Sequence, residues 1–275
     1  MFPILTFIFF TFGLLIGSFL NVVILRFNTH KSLGGRSACM VCLNKLSWFE
    51  LIPLFSFLGL KGRCRSCQTK ISAQYPLVEF VSGLIFAGLF WKFKDLFFVP
   101  DFTFALVYVY YAFMFSILLV IAVYDLKHKI IPDSLAFVFG SLAFLGLFFF
   151  NHDITNSVTA LCLYPHIPTV LDVCSGLFIA APFAFFWLVS SGRWMGLGDA
   201  KLSIGIGWLL GTMTAFTGLV LAFWSGALVG IFLILISKLH GGRGGYKMKS
   251  EIPFAPFIVF GAIVAFLFGL NFFLI

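Results

Sequence analysis

The sequence predicts an all-α, polytopic membrane protein with about eight transmembrane helices and one small cytoplasmic four-cysteine zinc-binding loop. Three observations lead there. Of 275 residues, 61% are hydrophobic and 10% charged, where soluble domains average about 45–50% and about 25%. Apolar runs close to the ~20 residues that cross a bilayer recur along the whole chain. The basic residues collect in alternate connecting segments, as the positive-inside rule requires of cytoplasmic loops. A soluble enzyme, a secreted disulfide scaffold and a disordered chain are thereby excluded, because none can hold this much apolar surface against water.

Charges, Gly and Pro break the apolar runs into spans near 2–25, 76–92, 102–124, 131–150, 172–191, 200–211, 214–238 and 254–275. The first lacks the basic leader region and small-residue cleavage site of a signal peptide, so it reads as a retained helix. The second and sixth are short, and the sixth begins just after Asp199. With the N-terminus outside, sixteen of the 18 Lys and Arg residues fall on the cytoplasmic side, and only Lys92 and Lys94 fall outside. The net charge of +8 is therefore a topology signal, and nucleic-acid binding has no place in the account. No internal repeat stands out. The chain divides into a first transmembrane helix (1–25), a cytoplasmic metal-binding domain (26–75) and a polytopic membrane domain (76–275).

Segment 26–75 holds Cys39-x-x-Cys42 and Cys64-x-x-Cys67, separated by 21 residues. Each C-x-x-C turn offers two thiolates to one tetrahedral ion, and two turns close a structural zinc site with no open position for a catalytic water. Cytoplasmic thiols stay reduced, which disfavours disulfides here; unmetallated turns or a redox dithiol are the other readings. Cys162 and Cys174 both lie toward the outer side, where a disulfide between them is the lesser expectation.

Four of the ten acidic residues sit at span edges: Glu79, Asp125, Asp133 and Asp199. Acids at membrane depth are expensive and by default face a polar cavity or partner. Asp125 closes the third span and Asp199 opens the sixth, so both reach the cytoplasmic face. Two carboxylates brought together can share a proton, one acting as base on water and one as acid toward a peptide carbonyl. Gly196 and Gly198 lack Cβ atoms and would let backbone or an extended substrate approach Asp199. Each aspartate taken alone also reads as an ordinary juxtamembrane charge. His128 reads as an interfacial residue, because a carboxylate dyad needs no imidazole.

These residues resemble the type IV prepilin peptidase family, the bifunctional leader peptidase and N-methyltransferase of pilus assembly and type II secretion. The resemblance runs through Gly17-Ser18-Phe19-Leu20-Asn21 to Arg26, both C-x-x-C pairs, Gly62-Arg63-Cys64-Arg65 and Tyr75-Pro76-Leu77-Val78-Glu79. It continues through Asp125 with Ile131-Pro132-Asp133, the G-x-G-D of Gly196–Asp199, and Ile252-Pro253-Phe254-Ala255-Pro256-Phe257. One departure is Ala255, where the family commonly carries glycine; the loop at 151–171 has no counterpart. The resemblance implies that Asp125 and Asp199 are the catalytic aspartates of a membrane-embedded aspartic protease in the bacterial inner membrane. It implies cleavage of prepilins and pseudopilins after a glycine, on the cytoplasmic side of a short basic leader. It further implies N-methylation of the new N-terminal residue, usually phenylalanine, with S-adenosylmethionine as donor; the residues holding that donor are not legible. Arg26, Glu79, Lys127, Lys129 and Asp133 are candidates for substrate or structural contacts. Two other readings stay open: a peptidase without methyl transfer, and a proton- or cation-coupled transporter, although transporter sites tend toward the midplane and these acids lie at one edge.

Overall fold

A computed structural model describes residues 2–29, 34–98, 102–150, 167–193, 195–239 and 252–272, with the side chain of Leu239 excepted. Its elements are helical: α1 Phe2–Arg26, α2 Phe55–Gly59, α3 Gln74–Phe93, α4 Thr103–His128, α5 Asp133–Gly146, α6 Val170–Ser190, α7 Leu197–Leu210, α8 Thr212–Leu239 and α9 Ala255–Phe268. Among the described residues the only β pairings are two isolated bridges in the cysteine loop. All eight predicted spans thus fall on helices. Five of these (α1, α3, α4, α6 and α8) are long and apolar enough to cross a membrane. The span read as short at 76–92 extends to 20 residues as α3. By contrast, α5, α7 and α9 have 14 residues each, a length of about 21 Å against a hydrocarbon core of about 30 Å. Local chemistry sets these shorter limits. Pro132 precedes α5 and cannot donate within it, while Gly211 (φ +75°) and Gly269 (φ +60°) end α7 and α9.

The chain forms two compact units, Met1–Val120 and Ile121–Ile275. In the first, α1 packs along α3. A Cβ at Gly17 would lie 2.7 Å from the Glu79 Cα, so this seam depends on a small residue to bring the two backbones together. Farther along, Phe9 stacks on Phe90 with centroids 4.6 Å apart, and the Tyr108 hydroxyl donates to the Phe86 carbonyl at 3.0 Å. These aromatic contacts secure the end of the helix pair remote from the cysteine loop.

In the second unit, α7 packs against both α5 and α6, and α8 packs against α9. The α6–α7 seam is closed by Gly207, where an added Cβ would sit 2.6 Å from Gly176 Cα and 2.7 Å from the Ser175 carbonyl. The Ser175 hydroxyl donates to the Gly207 carbonyl at 3.0 Å, and Trp208 Nε1 donates to the Val173 carbonyl at 2.9 Å. Asp172 completes a capping box at the start of α6: its carboxylate accepts from the Thr169 amide and hydroxyl. Gly207→Val should force α6 and α7 apart and cost about 1–3 kcal/mol, seen as a lower thermal midpoint in detergent. Gly140→Ala on α5, where nothing lies within 4 Å, should instead hold or raise that midpoint, because alanine favours a helix interior by about 0.5–1 kcal/mol over glycine.

Several sequence expectations fall outside the described residues: Cys162 and hence its pairing with Cys174, most of the 151–171 loop, Lys31, Arg243, Lys247, Lys249 and Glu251.

Candidate functional site

The apolar run of α4 carries Asp125 into its last helical turn, where the carboxylate is 5% exposed. The chain leaves the helix at Lys129 (φ +55°), whose amide donates to the Asp125 carbonyl at 2.7 Å. Ile130, Ile131 and Pro132 then lead directly into α5. A backbone amide from a distant segment, that of Ala255 at the start of α9, donates to the Asp125 carboxylate. The stretch Pro253-Phe254-Ala255-Pro256 was recognisable as a motif but carried no assigned role. Here it starts a helix, with Pro256 at a position where a missing N–H costs nothing, and aims one amide at Asp125.

Asp199 lies within the first turn of α7, because the helix begins at Leu197, earlier than the predicted start at 200. The acid is 8% exposed. Gly196 is the N-cap, and its amide donates to the Asp199 carboxylate three residues on, which is one half of a capping box. Gly198 faces Ile131, and a Cβ there would lie 3.1 Å from the isoleucine Cβ. The missing side chain therefore seats the turn that follows Asp125 against the turn that carries Asp199. As a result the two buried carboxylates lie within electrostatic range of each other. They also occupy opposite helix poles, Asp125 near a C-terminus and Asp199 near an N-terminus, so the backbone fields on them differ in sign.

The other candidates are distributed around these helix ends and in the first unit. Asp133, the first residue of α5, pairs with Lys201 on α7 at 2.7 Å, with both side chains substantially exposed. Lys127 and Lys129 are exposed beside Asp125. His128 packs its ring on Tyr124 at 4.4 Å between centroids, as suits an interfacial residue. Arg26 ends α1 and donates to the Gly34 carbonyl at 2.8 Å, holding the start of the cysteine loop. Glu79, 8% exposed, accepts from the Leu54 amide at 2.9 Å and from Ser18.

The four cysteines converge. Their Sγ atoms all lie within 4.8 Å of one another, with Cys39–Cys67 at 3.7 Å and Cys42–Cys64 at 4.0 Å. A tetrahedral zinc with Zn–S bonds of about 2.3 Å requires sulfurs roughly 3.8 Å apart, so the donor set fits that ion. Two knuckles of the same construction build it. The Cys39 amide donates to the Asn44 carbonyl and the Cys64 amide to that of Thr69, and Leu43 (φ +57°) and Gln68 (φ +58°) turn the chain at matching positions. The Thr69 hydroxyl, 3.2 Å from Cys67 Sγ, and the Thr69 amide lower that thiol to about 6. Amides of Cys42 and Val41 lower Cys39 as well. At Cys42, by contrast, the Asn44 amide is outweighed by desolvation and the neighbouring cysteine sulfurs, which raise it to about 11, so the cluster ionises first at one sulfur of each knuckle.

Comparison with known proteins gives a consistent result. The family model described as the bacterial peptidase A24 N-terminal domain matches residues 11–93, and that of the type IV leader peptidase family matches 112–270. The chain is 34% identical over 266 residues to a prepilin leader peptidase/N-methyltransferase of Myxococcus xanthus, covering 92% of this chain and 70% of that one. Proteins of the same name from Bacillus subtilis and Aeromonas hydrophila are 31% and 30% identical, over 95% and 94% of this chain and 94% and 89% of theirs. No solved structure matches.

Proposed function

Since the chain belongs to the type IV leader peptidase family, we propose that it is a prepilin leader peptidase and N-methyltransferase of the bacterial inner membrane. Its substrates are type IV prepilins and type II secretion pseudopilins, cut after a glycine on the cytoplasmic side of a basic leader. The new N-terminal residue, usually phenylalanine, is then methylated with S-adenosylmethionine as donor. The observation that carries the peptidase assignment is the pair of buried carboxylates at the ends of α4 and α7, each held by a backbone amide.

In this reading Asp125 and Asp199 form one acid–base pair. An ionised carboxylate takes a proton from water as its oxygen attacks the scissile carbonyl, while the protonated partner stabilises the developing oxyanion and then protonates the leaving amine. The pair titrates jointly, so the two roles belong to the dyad. The Ala255 and Gly196 amides hold the two acids in place, and Gly198 with Ile131 sets their separation. Cys39, Cys42, Cys64 and Cys67 hold zinc as a structural ion, which supplies a cross-link and no chemistry at the scissile bond. No residue is assigned to the methyl donor.

The remaining organisation follows the charge bias. The N-terminus lies outside, the dyad lies at the cytoplasmic face beside Lys127 and Lys129, and all eight principal helices cross or enter the bilayer. The division into a first helix (1–25), a cysteine domain (26–75) and a peptidase domain (76–275) is part of the same proposal. Asp133 is a positioning residue for α7 through Lys201. An exposed ion pair is worth at most about 1 kcal/mol, so Asp133→Asn should slow cleavage less than about tenfold; loss equal to that of a dyad variant would mean Asp133 is the acid paired with Asp199.

The direct test incubates the purified protein with a prepilin peptide, with and without S-adenosylmethionine, and reads product masses. Cut and methylated product is expected. Cut product alone would leave a peptidase without transfer, and uncut peptide would remove the assignment.

A further inference from the structure

The cysteine loop presents an apolar surface that neither the zinc site nor the dyad uses. Trp48, Leu51, Phe55 and Leu58 are 76%, 42%, 70% and 71% exposed, spaced three or four residues apart through a 3-10 turn at Trp48–Leu51 and helix α2. Such exposure is costly in water, at roughly 25 cal/mol for each Å² of apolar surface. The depth of this segment can be read from one hydrogen bond. Leu54 stands immediately before α2 in an unfavourable conformation (φ +59°), and its amide donates to the Glu79 carboxylate at 2.9 Å. Glu79 is buried in the second turn of α3, about 7.5 Å along the helix from its start. Since α3 is a candidate span, the carboxylate ties Leu54, and with it Phe55 and Leu58, to the level where the bilayer's polar layer begins. The charge around the segment has one sign. Between 26 and 75 there are eight basic residues and a single acid, Glu50. The Glu50 carboxylate is engaged locally, accepting from the Ser47 amide and hydroxyl at 2.7 Å each. A tetrathiolate zinc would remove only part of that surplus.

We propose that residues 48–60 are an interfacial element, seated in the headgroup layer of an anionic bilayer and locked at that depth by Glu79. Aromatic and aliphatic side chains enter the boundary between headgroups and acyl chains, while Lys45, Lys61 and Arg63 meet lipid phosphates. The cysteine domain is then held against the membrane surface. This inference rests on α1 and α3 crossing the bilayer and does not depend on the peptidase assignment.

The test uses the full chain in proteoliposomes, with Phe55→p-benzoylphenylalanine as a photo-cross-linker and mass spectrometry of the adduct. The same substitution at Leu84, exposed midway along α3, marks the membrane, and at Gln68, exposed on the second knuckle, marks solvent. A phospholipid adduct is expected at 55 and 84 and none at 68. Replacing part of the phosphatidylcholine with phosphatidylglycerol should raise the yield at 55 by up to about fivefold, the factor that one basic residue at an anionic surface supplies, without change at 84. Lipid at 84 with none at 55 overturns the seating and leaves the membrane reading intact. A chain-to-chain adduct at 55, or a prepilin adduct replacing lipid when prepilin is added, assigns the surface to a protein and overturns it. Absence of lipid at 84 overturns the seating together with its premise.

Discussion

Asp125→Asn and Asp199→Asn are each expected to abolish leader cleavage, with a loss of at least roughly 10³-fold in rate, while insertion and zinc content stay unchanged. Asparagine keeps the size and most of the hydrogen-bonding shape of aspartate, so the Ala255 amide still finds an acceptor at 125 and the Gly196 amide at 199. What disappears is the ability to exchange a proton. If the buried acids were only helix-end charges, their removal would relieve a desolvation cost and leave activity intact, or even raise stability. The measurement is single-turnover cleavage of a prepilin peptide, with thermal unfolding run alongside to exclude misfolding. Substantial cleavage by either variant would sink the aspartic-protease mechanism.

How much of this was readable before the structure varies by residue. The eight helices that carry the apolar spans were legible because the runs are long and the breaks carry charge, Gly or Pro, whereas the short α2 of the cysteine loop was not. Their ends were less legible, since hydropathy does not respond to a cap. The start of α7 moved two residues upstream of Gly198's neighbour Asp199, because an N-cap glycine and a third-position carboxylate define that turn. Spatial convergence of Cys39, Cys42, Cys64 and Cys67 followed directly from spacing. In contrast, the Ala255 amide on Asp125 and the Ile131 contact of Gly198 lie beyond local pattern. They are long-range contacts, and the sequence signals only that the motifs are there. The shortness of α7 was legible, since Gly211 marks its end, but the 14-residue lengths of α5 and α9 could not be foreseen from composition, because apolar residues continue past the points where these helices stop.

Replacing Cys39 and Cys42 together by Ser is expected to separate the two activities. Between residues 34 and 73 only Pro53 and Cys64 are buried, so this segment has almost no apolar core of its own. Its two knuckles are joined chiefly by the four converging sulfurs and by one side-chain bond, from Asn44 to Ser66 at 2.9 Å. Zinc binding contributes about 10–16 kcal/mol in small zinc-dependent peptides, far more than those few hydrogen bonds can supply. The double variant should therefore release its zinc and lose the fold of both knuckles. Asp125 and Asp199 are placed by the last turns of α4, by α7 and by the start of α9, all within residues 121–275, so hydrolysis should persist at a reduced rate. Methyl transfer, which needs an ordered surface beside the new N-terminus, should fall by at least an order of magnitude more than cleavage, a difference of ~1.4 kcal/mol or greater in barrier. Product mass distinguishes the cut peptide from the cut and methylated one, and zinc per protein is measured on the same preparation. A variant that has lost its metal yet methylates at the normal rate would show that the cysteine domain does not support transfer.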